Sequence, residues 1–272
     1  MAQVYNMDVT DFLDYYQEQP FDTIFLDPPF NQGKSYDGHN DSMSYNDYWT
    51  WMYKTCANIR SKSSKGASIF FMQREKNVME VLDVLKSTGW TFRNLIVWKK
   101  KTSAVPMPYG FGKHYQVIAY ATNGDKPRVF NKLRIDPPLL PNEKIKRTNG
   151  VYVTDVWDDI RELTSGYFAG NEPLRDSDGN REHKQQAPLH LLARIILSTT
   201  LEGDLVFDPF AGTGTTLVAA EQLRRLSIGV DKSLNNKELM FRRLVAGREA
   251  DDISSIRDYY KYTENLDTIW RI

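Results

Sequence analysis

Residues 203–223, GDLVFDPFAGTGTTLVAAEQL, decide how this chain folds. Leu205 to Phe207 form a short apolar run suited to a buried strand, and a helical pattern begins near Thr215. Between them Asp208-Pro209-Phe210-Ala211-Gly212-Thr213-Gly214 must turn the chain sharply. Gly212 and Gly214 permit that turn and let a ligand approach the backbone. In open α/β sheets such a ligand sits beyond the carboxyl ends of the strands. G-T-G-T-T-L stands where the dinucleotide fingerprint requires G-x-G-x-x-G, and no Lys-Ser or Lys-Thr follows as in a P-loop. Asp208 ahead of the glycines disfavours a phosphate there and suits a ligand with an ammonium group. Downstream, SIGVD ends at Asp231, roughly 20 residues past the loop, where an acid takes both ribose hydroxyls. These features call for a cationic nucleoside without phosphate, and S-adenosylmethionine meets all three requirements. A tight strand-to-helix turn with no ligand is the plainer reading of the same string.

Outward from this loop the chain alternates strands and helices. APLHLLARIILSTT (187–200) and TTLVAAEQLRRL (215–226) read as helices. Nearer the amino end, DTIFLD (22–27) and ASIFFM (67–72) read as buried strands. YNDYWTWMYKTCANIRSK (45–62) has helical spacing, with Tyr48, Trp51, Met52 and Cys56 on one stripe. VMEVLDVLKSTG (78–89) is a helix closed by Gly89, and RNLIVWKK and HYQVIAYAT are two further strands. From Gly124 to Glu182 prolines and polar clusters interrupt the pattern, leaving brief apolar pieces such as GVYVTDVW. A structureless loop that long is uncommon in a compact domain, so this stretch reads as an insert. The alternation predicts an α/β fold, with a mostly parallel sheet and helices on both faces.

The strand DTIFLD leaves through Asp27-Pro28-Pro29-Phe30. Each proline fixes its φ and donates no backbone hydrogen bond, and a residue before proline is pushed toward extended geometry. The corner should therefore be stiff, presenting a carboxylate, free carbonyls and a ring with little freedom. A rigid exit from a strand explains the string equally well by itself. Asp136-Pro137-Pro138-Leu139 serves as a control, since it follows no comparable strand and lacks the ring. Asn31 and the polar residues after it, up to Ser44, form a loop that either closes over the site or is an ordinary connection.

Bulk properties narrow the class. At 272 residues the chain fits one large domain, or one domain with an insert, and can bury a substantial core. The single cysteine, Cys56, excludes an internal disulfide framework. The amino-terminal residues do not resemble a signal peptide and no apolar run approaches a membrane span, so a soluble, cytoplasmic protein is expected. None of the four histidines has a partner at metal-ligand spacing, so no metal is expected. Lys plus Arg and Asp plus Glu number 35 each, but the charge is uneven. Between Arg93 and Arg147, twelve basic residues, among them Lys99, Lys100, Lys101, Lys113, Arg128 and Arg134, face only three acids. Tyr109, Phe111, Tyr115, Tyr120 and Phe130 are interleaved. Such a stretch suits nucleic acid, and equally a solvated basic face around buried aromatics.

Taken together, DPFAGTGTT preceded by the DPPF corner resembles the β-class DNA amino-methyltransferases, which methylate adenine N6 or cytosine N4. The resemblance covers residues 4 to about 245 and implies a Rossmann-like class I methyltransferase fold with a small irregular DNA-recognition insert. It divides the chain into a catalytic half (1–123), the insert (124–182), a cofactor half (183–245) and an extension without assigned role (246–272). It implies S-adenosylmethionine held by Asp208, Phe210, Ala211, Gly212, Thr213, Gly214, Thr215 and Asp231. Asp8, in VYNMDVTDFL, would approach the adenine, although an acid there also suits a helix cap. In EHKQQAPLHLL, His183, Gln186 and Pro188 match the family's pattern, which implies Gln186 among the cofactor-binding residues, whereas Lys184 and Ala187 depart from it. Catalysis is implied at Asp27, Pro28, Pro29 and Phe30. Asp27 and the Pro28 carbonyl would accept the amine's two N–H bonds, freeing its lone pair, while Phe30 stacks on a base flipped from the duplex. In this reading Asp27 is an acceptor, and water takes the proton after attack. Contacts to DNA would come from Asn31, Lys99, Lys100, Lys101, Lys113, Arg128 and Arg134.

Asp rather than Ser at position 27 leans toward adenine. Trp49 and Trp51 read as packing residues. Cys56 lacks a preceding proline, which argues against cytosine C5 chemistry. Double-stranded DNA is the expected partner, and a homodimer and a cognate restriction endonuclease are further partners the resemblance implies. Two readings from other classes stand beside it: a protein glutamine methyltransferase, whose cofactor loop usually comes first, and a catalytically silent DNA-binding partner.

Overall fold

The computed structural model describes residues 1–31, 33, 35–36, 39–40, 42–101, 107–136, 148–163, 170–183 and 185–271. The amino half runs β1 (Ala2–Asn6), α1 (Val9–Tyr15), β2 (Phe21–Leu26), the short pair β3 (Ser35–Tyr36) and β4 (His39–Asn40), then α2 (Tyr45–Ser61). There follow β5 (Ser63–Gln73), α3 (Val78–Ser87), β6 (Thr91–Lys99) and β7 (Tyr115–Thr122). After the small pair β8 (Arg134–Ile135) and β9 (Val151–Tyr152) comes β10 (Val156–Trp157). The rest is α4 (Leu189–Thr199), β11 (Leu205–Asp208), α5 (Thr215–Gln222), β12 (Leu226–Asp231) and α6 (Leu234–Ala246).

Among the described residues eight strands form one sheet in the order β1-β12-β11-β2-β5-β7-β6-β10. Only β7 runs against the others, pairing antiparallel with β5 and β6. The amino-terminal strand β1 carries no clear pattern in sequence, yet it pairs with β12 along its whole length. From the centre the order moves outward both ways, with β11 beside β2 in register Phe207 to Ile24. That reversal opens a crevice at the strands' carboxyl ends.

Two layers cover the sheet. Ile24, Leu26, Ile69 and Phe71 point toward α1, α2 and α3, joining Phe12, Leu13, Met52 and Val81. Their neighbours Phe25, Phe70 and Met72 point the other way, against Leu192, Ile195 and Ile196 of α4 and Ala219 of α5. Each such burial contributes about 1.5–3 kcal/mol. Ser44 opens α2, its Oγ accepting from the Asp47 N–H at 3.1 Å while its hydroxyl donates to Asp47 Oδ2 at 2.7 Å.

Described residues of the insert and of the carboxyl-terminal extension are part of this packing. Leu133, Trp157 and Ile160 lie in the same buried cluster as Ile253, Tyr260, Leu266, Ile269 and Trp270. Asn265 donates to the Asn131 side chain at 3.2 Å, and the Arg134 N–H donates to Thr263 Oγ1 at 2.9 Å. The carboxyl-terminal extension thus clamps residues 131–135 and 153–160 against α4. Asp136 pairs with Lys261 at 3.1 Å, while the prolines of the control string lie outside the described residues.

Candidate active site

Four carboxylates stand at the ends of four consecutive strands: Asp8 after β1, Asp231 on β12, Asp208 on β11 and Asp27 after β2. Asp8 is a helix cap, accepting from the Thr10 N–H at 2.9 Å, and its Oδ2 lies 3.7 Å from Lys232 Nζ. Asp231 accepts from the Gly212 N–H at 2.9 Å and the Ser233 N–H at 2.8 Å, so it shapes the glycine loop as well as facing the crevice. Asp208 lies deeper than the other three. It is buried, and accepts from the Phe210 N–H at 3.1 Å and from the Thr216 hydroxyl. Burial pushes its carboxyl up to about 7, against the pull of those two hydrogen bonds.

The glycine loop divides its labour. Gly212 lies at φ +50 and faces the crevice. Gly214, at φ +75, opens α5, and a Cβ there would stand 2.8 Å from Met240 Cγ. Thr213 and Thr215 do not reach the crevice. They are buried behind it, where Arg243 donates to the Thr213 carbonyl at 3.2 Å and to Thr215 Oγ1 at 2.8 Å. Arg243 is itself held by both oxygens of Asp251, at 2.9 and 2.7 Å. Ala211 is buried too, its N–H donating to the Val230 carbonyl at 2.9 Å. These residues build the loop from behind, and only Pro209, Phe210 and Gly212 of it line the crevice.

A chain of hydrogen bonds braces the DPPF corner. Gln73 Nε2 donates to the Tyr48 hydroxyl at 3.0 Å, which donates to the Pro29 carbonyl at 2.8 Å. Sequence patterning placed Tyr48 on a packing stripe, and its hydroxyl role had no periodic signal. Asn31 sits at φ +51, and its Nδ2 donates to the Met43 carbonyl at 2.9 Å, fixing the chain after the corner.

Two cavities meet at Asp27. The larger, about 750 Å³, is lined by Asp8, Asp27, Trp51, Phe210, Gly212 and Asp231 among others. Trp51 is therefore more than a packing residue: it forms a wall, edge-on to Phe210 with ring centroids 5.4 Å apart. Several carboxylates, two aromatic rings and a bare glycine backbone fit a cationic nucleoside, and the volume is ample for one. The smaller cavity, about 360 Å³, is lined by Asp27, Phe30, Trp98, Lys100, Glu162 and Gln186 among others. Its size and two rings suit a single planar base. Lys100 Nζ lies 3.2 Å from the Trp98 ring centroid, and burial brings its ammonium down to about 8 despite Glu162 and Asp27 nearby. Burial raises the Asp27 carboxyl well above the usual range; the charge of Asp208 adds to this and Lys100 opposes it.

Other expected residues fall elsewhere. Gln186 lines the smaller cavity, not the larger, and its amide is engaged by the Leu174 N–H at 3.0 Å and the Glu172 carbonyl at 3.2 Å. Its neighbour Gln185 lines both cavities, and Lys184 lies outside the described residues. Lys113 reaches the smaller cavity and pairs with Glu75 at 2.5 Å. The Lys101 N–H donates to Glu162 at 2.8 Å, and Lys99 is exposed on β6. Arg128 is at the opposite end of the sheet, beside the starts of β2 and β11, paired with Asp22 at 3.1 Å and with Asp204. Arg134 lies on the flank, over the Tyr152 ring at 4.3 Å. The basic surplus is therefore not one face. Lys144, Lys146 and Arg147 lie outside the described residues.

The sequence profile of the DNA methylases matches residues 21–242. The chain belongs to the DNA methylase family. Type II methyltransferase M.BamHI of Bacillus amyloliquefaciens is 32% identical over 256 residues, 90% of this chain and 57% of that protein, so the chain spans little more than half of that relative. DNA adenine methyltransferase YhdJ of Escherichia coli strain K12 is 30% identical over 240 residues, 82% of this chain and 76% of that one. Among solved structures, the cytosine-N4-specific PvuII DNA methyltransferase aligns with a TM-score of 0.65 at 16% identity, covering 98% of this chain and 93% of that one. That likeness is one of fold, and this DNA methylase has the Rossmann-like class I methyltransferase architecture that its motifs implied. No helix among the described residues is long and apolar enough to cross a membrane.

Proposed function

We propose that this DNA methylase transfers a methyl group from S-adenosylmethionine to the exocyclic N6 of an adenine flipped out of duplex DNA. One observation carries the reading: Asp27 is shared by the nucleoside-sized cavity and the base-sized cavity. S-adenosylmethionine supplies a sulfonium methyl in the first cavity, with Asp231 toward the ribose, Asp8 toward the adenine, and Trp51 and Phe210 as walls. In the second, Phe30 and Trp98 flank the base and Asp27 accepts one amine N–H. The Pro28 carbonyl accepts the other, drawing nitrogen toward tetrahedral geometry. The brace from Gln73 through Tyr48 keeps these acceptors in place, which lowers the reorganisation cost of the reaction.

The acidic first residue of the corner and the likeness to an adenine methyltransferase support adenine. Cytosine N4 is the second reading, and the fold likeness to a cytosine-N4-specific enzyme favours it. Recognition of the target sequence is assigned to the 124–182 segment. Relatives named as type II methyltransferases support a restriction–modification setting with a matching endonuclease, while pairing with a second copy rests on resemblance alone. The test is incubation with labelled S-adenosylmethionine and mixed-sequence duplex DNA, followed by digestion to nucleosides. N6-methyladenine supports the reading, N4-methylcytosine replaces the base while keeping the site, and unlabelled DNA from several genomes rejects it.

A further inference from the structure

The connection between β6 and β7 leaves the sheet at the end where Asp27 stands. Its described residues close a tight turn through a bridge between Met107 and Gly110. Beside that turn Tyr109 and Phe111 are fully exposed, at 102% and 99%. Two large rings held in water on either side of Gly110 bury nothing in this fold, although the residues that follow are firmly anchored. Lys113 pairs with Glu75 and lines the smaller cavity, Tyr115 lines it too, and the Lys100 N–H donates to the His114 carbonyl at 2.7 Å. Two residues span at most about 7 Å, so Phe111 lies within that reach of Lys113, which lines the base-sized cavity.

A duplex that delivers a base to Asp27 must lie across this rim, because a flipped nucleotide swings only about its own backbone. Lys101, exposed where β6 ends, brings a positive charge toward its phosphates, whereas Lys113 is already paired with Glu75. Extrusion leaves a gap in the stack, and apolar side chains that enter such gaps hold the helix open. We propose that Phe111 and Tyr109 form an aromatic wedge that enters the duplex beside the target and replaces the stacking lost by the flipped base. This rests on the smaller cavity being the base pocket. It also gives a physical reason for the rings being exposed in the free protein, since their packing partner is the base stack itself.

The test uses the full chain with Phe111→Ala, Tyr109→Ala, the double variant and Phe111→Trp. The probe is a duplex carrying 2-aminopurine at the mapped target position, read by emission and, in parallel, by anisotropy at saturating protein. Wild type should raise the emission, the double variant should bind while losing most of that rise, and Phe111→Trp should restore it. Methylation by the double variant should fall about tenfold or more on a paired target and by much less on a mispaired one, where flipping costs less. Full emission from the double variant, or equal losses on paired and mispaired targets, would overturn the wedge. A wild-type protein that methylates no DNA would instead reject the underlying function, and that control is read before any variant.

Discussion

Asp208 and Asp27 end two neighbouring parallel strands, and the charge of the first works against ionisation of the second. Burial raises the Asp27 carboxyl most, Asp208 adds to it, and the Lys100 ammonium holds it down. The proposed transfer needs Asp27 ionised, because only the carboxylate accepts the amine N–H on either oxygen. Methylation should therefore be lost as pH falls through this raised value, well above the usual carboxylate range. Lys100→Met removes the opposing charge, so the acid limb should move to higher pH, and Lys100→Arg should largely return it. Single-turnover rates against pH decide this, and an unmoved acid limb in Lys100→Met would remove Lys100 from the account.

The two loop glycines should fail differently. A Cβ at Gly212 meets only ordinary contact with His183, at 3.6 Å, and faces the larger cavity. Gly212→Ala is expected to cost about 1 kcal/mol of stability through its positive φ, with weakened cofactor binding as its main effect. Gly214→Ala combines φ +75 with the Met240 clash, and should cost about 2–4 kcal/mol. Denaturation midpoints and cofactor titration separate the two outcomes.

Arg243 and Asp251 are both buried and hydrogen-bonded twice to each other. Among the described residues, Arg243→Met leaves Asp251 with the half-buried Arg248 as its remaining ion-pair partner, at 3.5 Å, and removes the donors to Thr213 and Thr215. A loss of about 3–5 kcal/mol is expected. Arg243→Lys should recover only part of it, because an ammonium cannot reproduce the paired fork. Thermal unfolding of the three proteins checks the order.

Glu172 accepts from the Leu189 N–H at 2.6 Å, at the start of a helix whose cap is a proline. Burial raises its carboxyl to about 7, against the pull of that bond and of Arg243 and Arg248. A carboxyl raised on folding favours the protonated form, so its ionisation costs stability as pH rises from its unfolded value through about 7. Glu172→Gln should therefore stabilise the protein at alkaline pH, by about 1–2 kcal/mol, and change little below pH 5 or so. Melting curves across that range test it.

Much of the site was legible because it lies on strand ends. Asp27, Asp208 and Asp231 each follow a short apolar run, and Gly212 stands in a turn that only a few sequences make. The supports were not legible. Arg243 and Asp251 act from a helix and a short turn with no periodic signature, and Tyr48 reads as one more member of an apolar stripe. Charge counting misled for a topological reason. The nine residues of β6 span about 30 Å, and the antiparallel β7 carries the chain back. Lys100 and Lys113 therefore stand at the site, while Arg93 and Arg128 stand at the far end. Linear clustering became spatial separation.

The central claim is that Asp27 is the acceptor on which amine methylation depends. Its most direct test is the single-turnover methylation rate of Asp27→Ala on a duplex target, with cofactor binding measured on the same protein. A loss of about a hundredfold or more with cofactor affinity within an order of magnitude of wild type is the predicted result. Undiminished transfer by Asp27→Ala would contradict it and move the chemistry away from this corner.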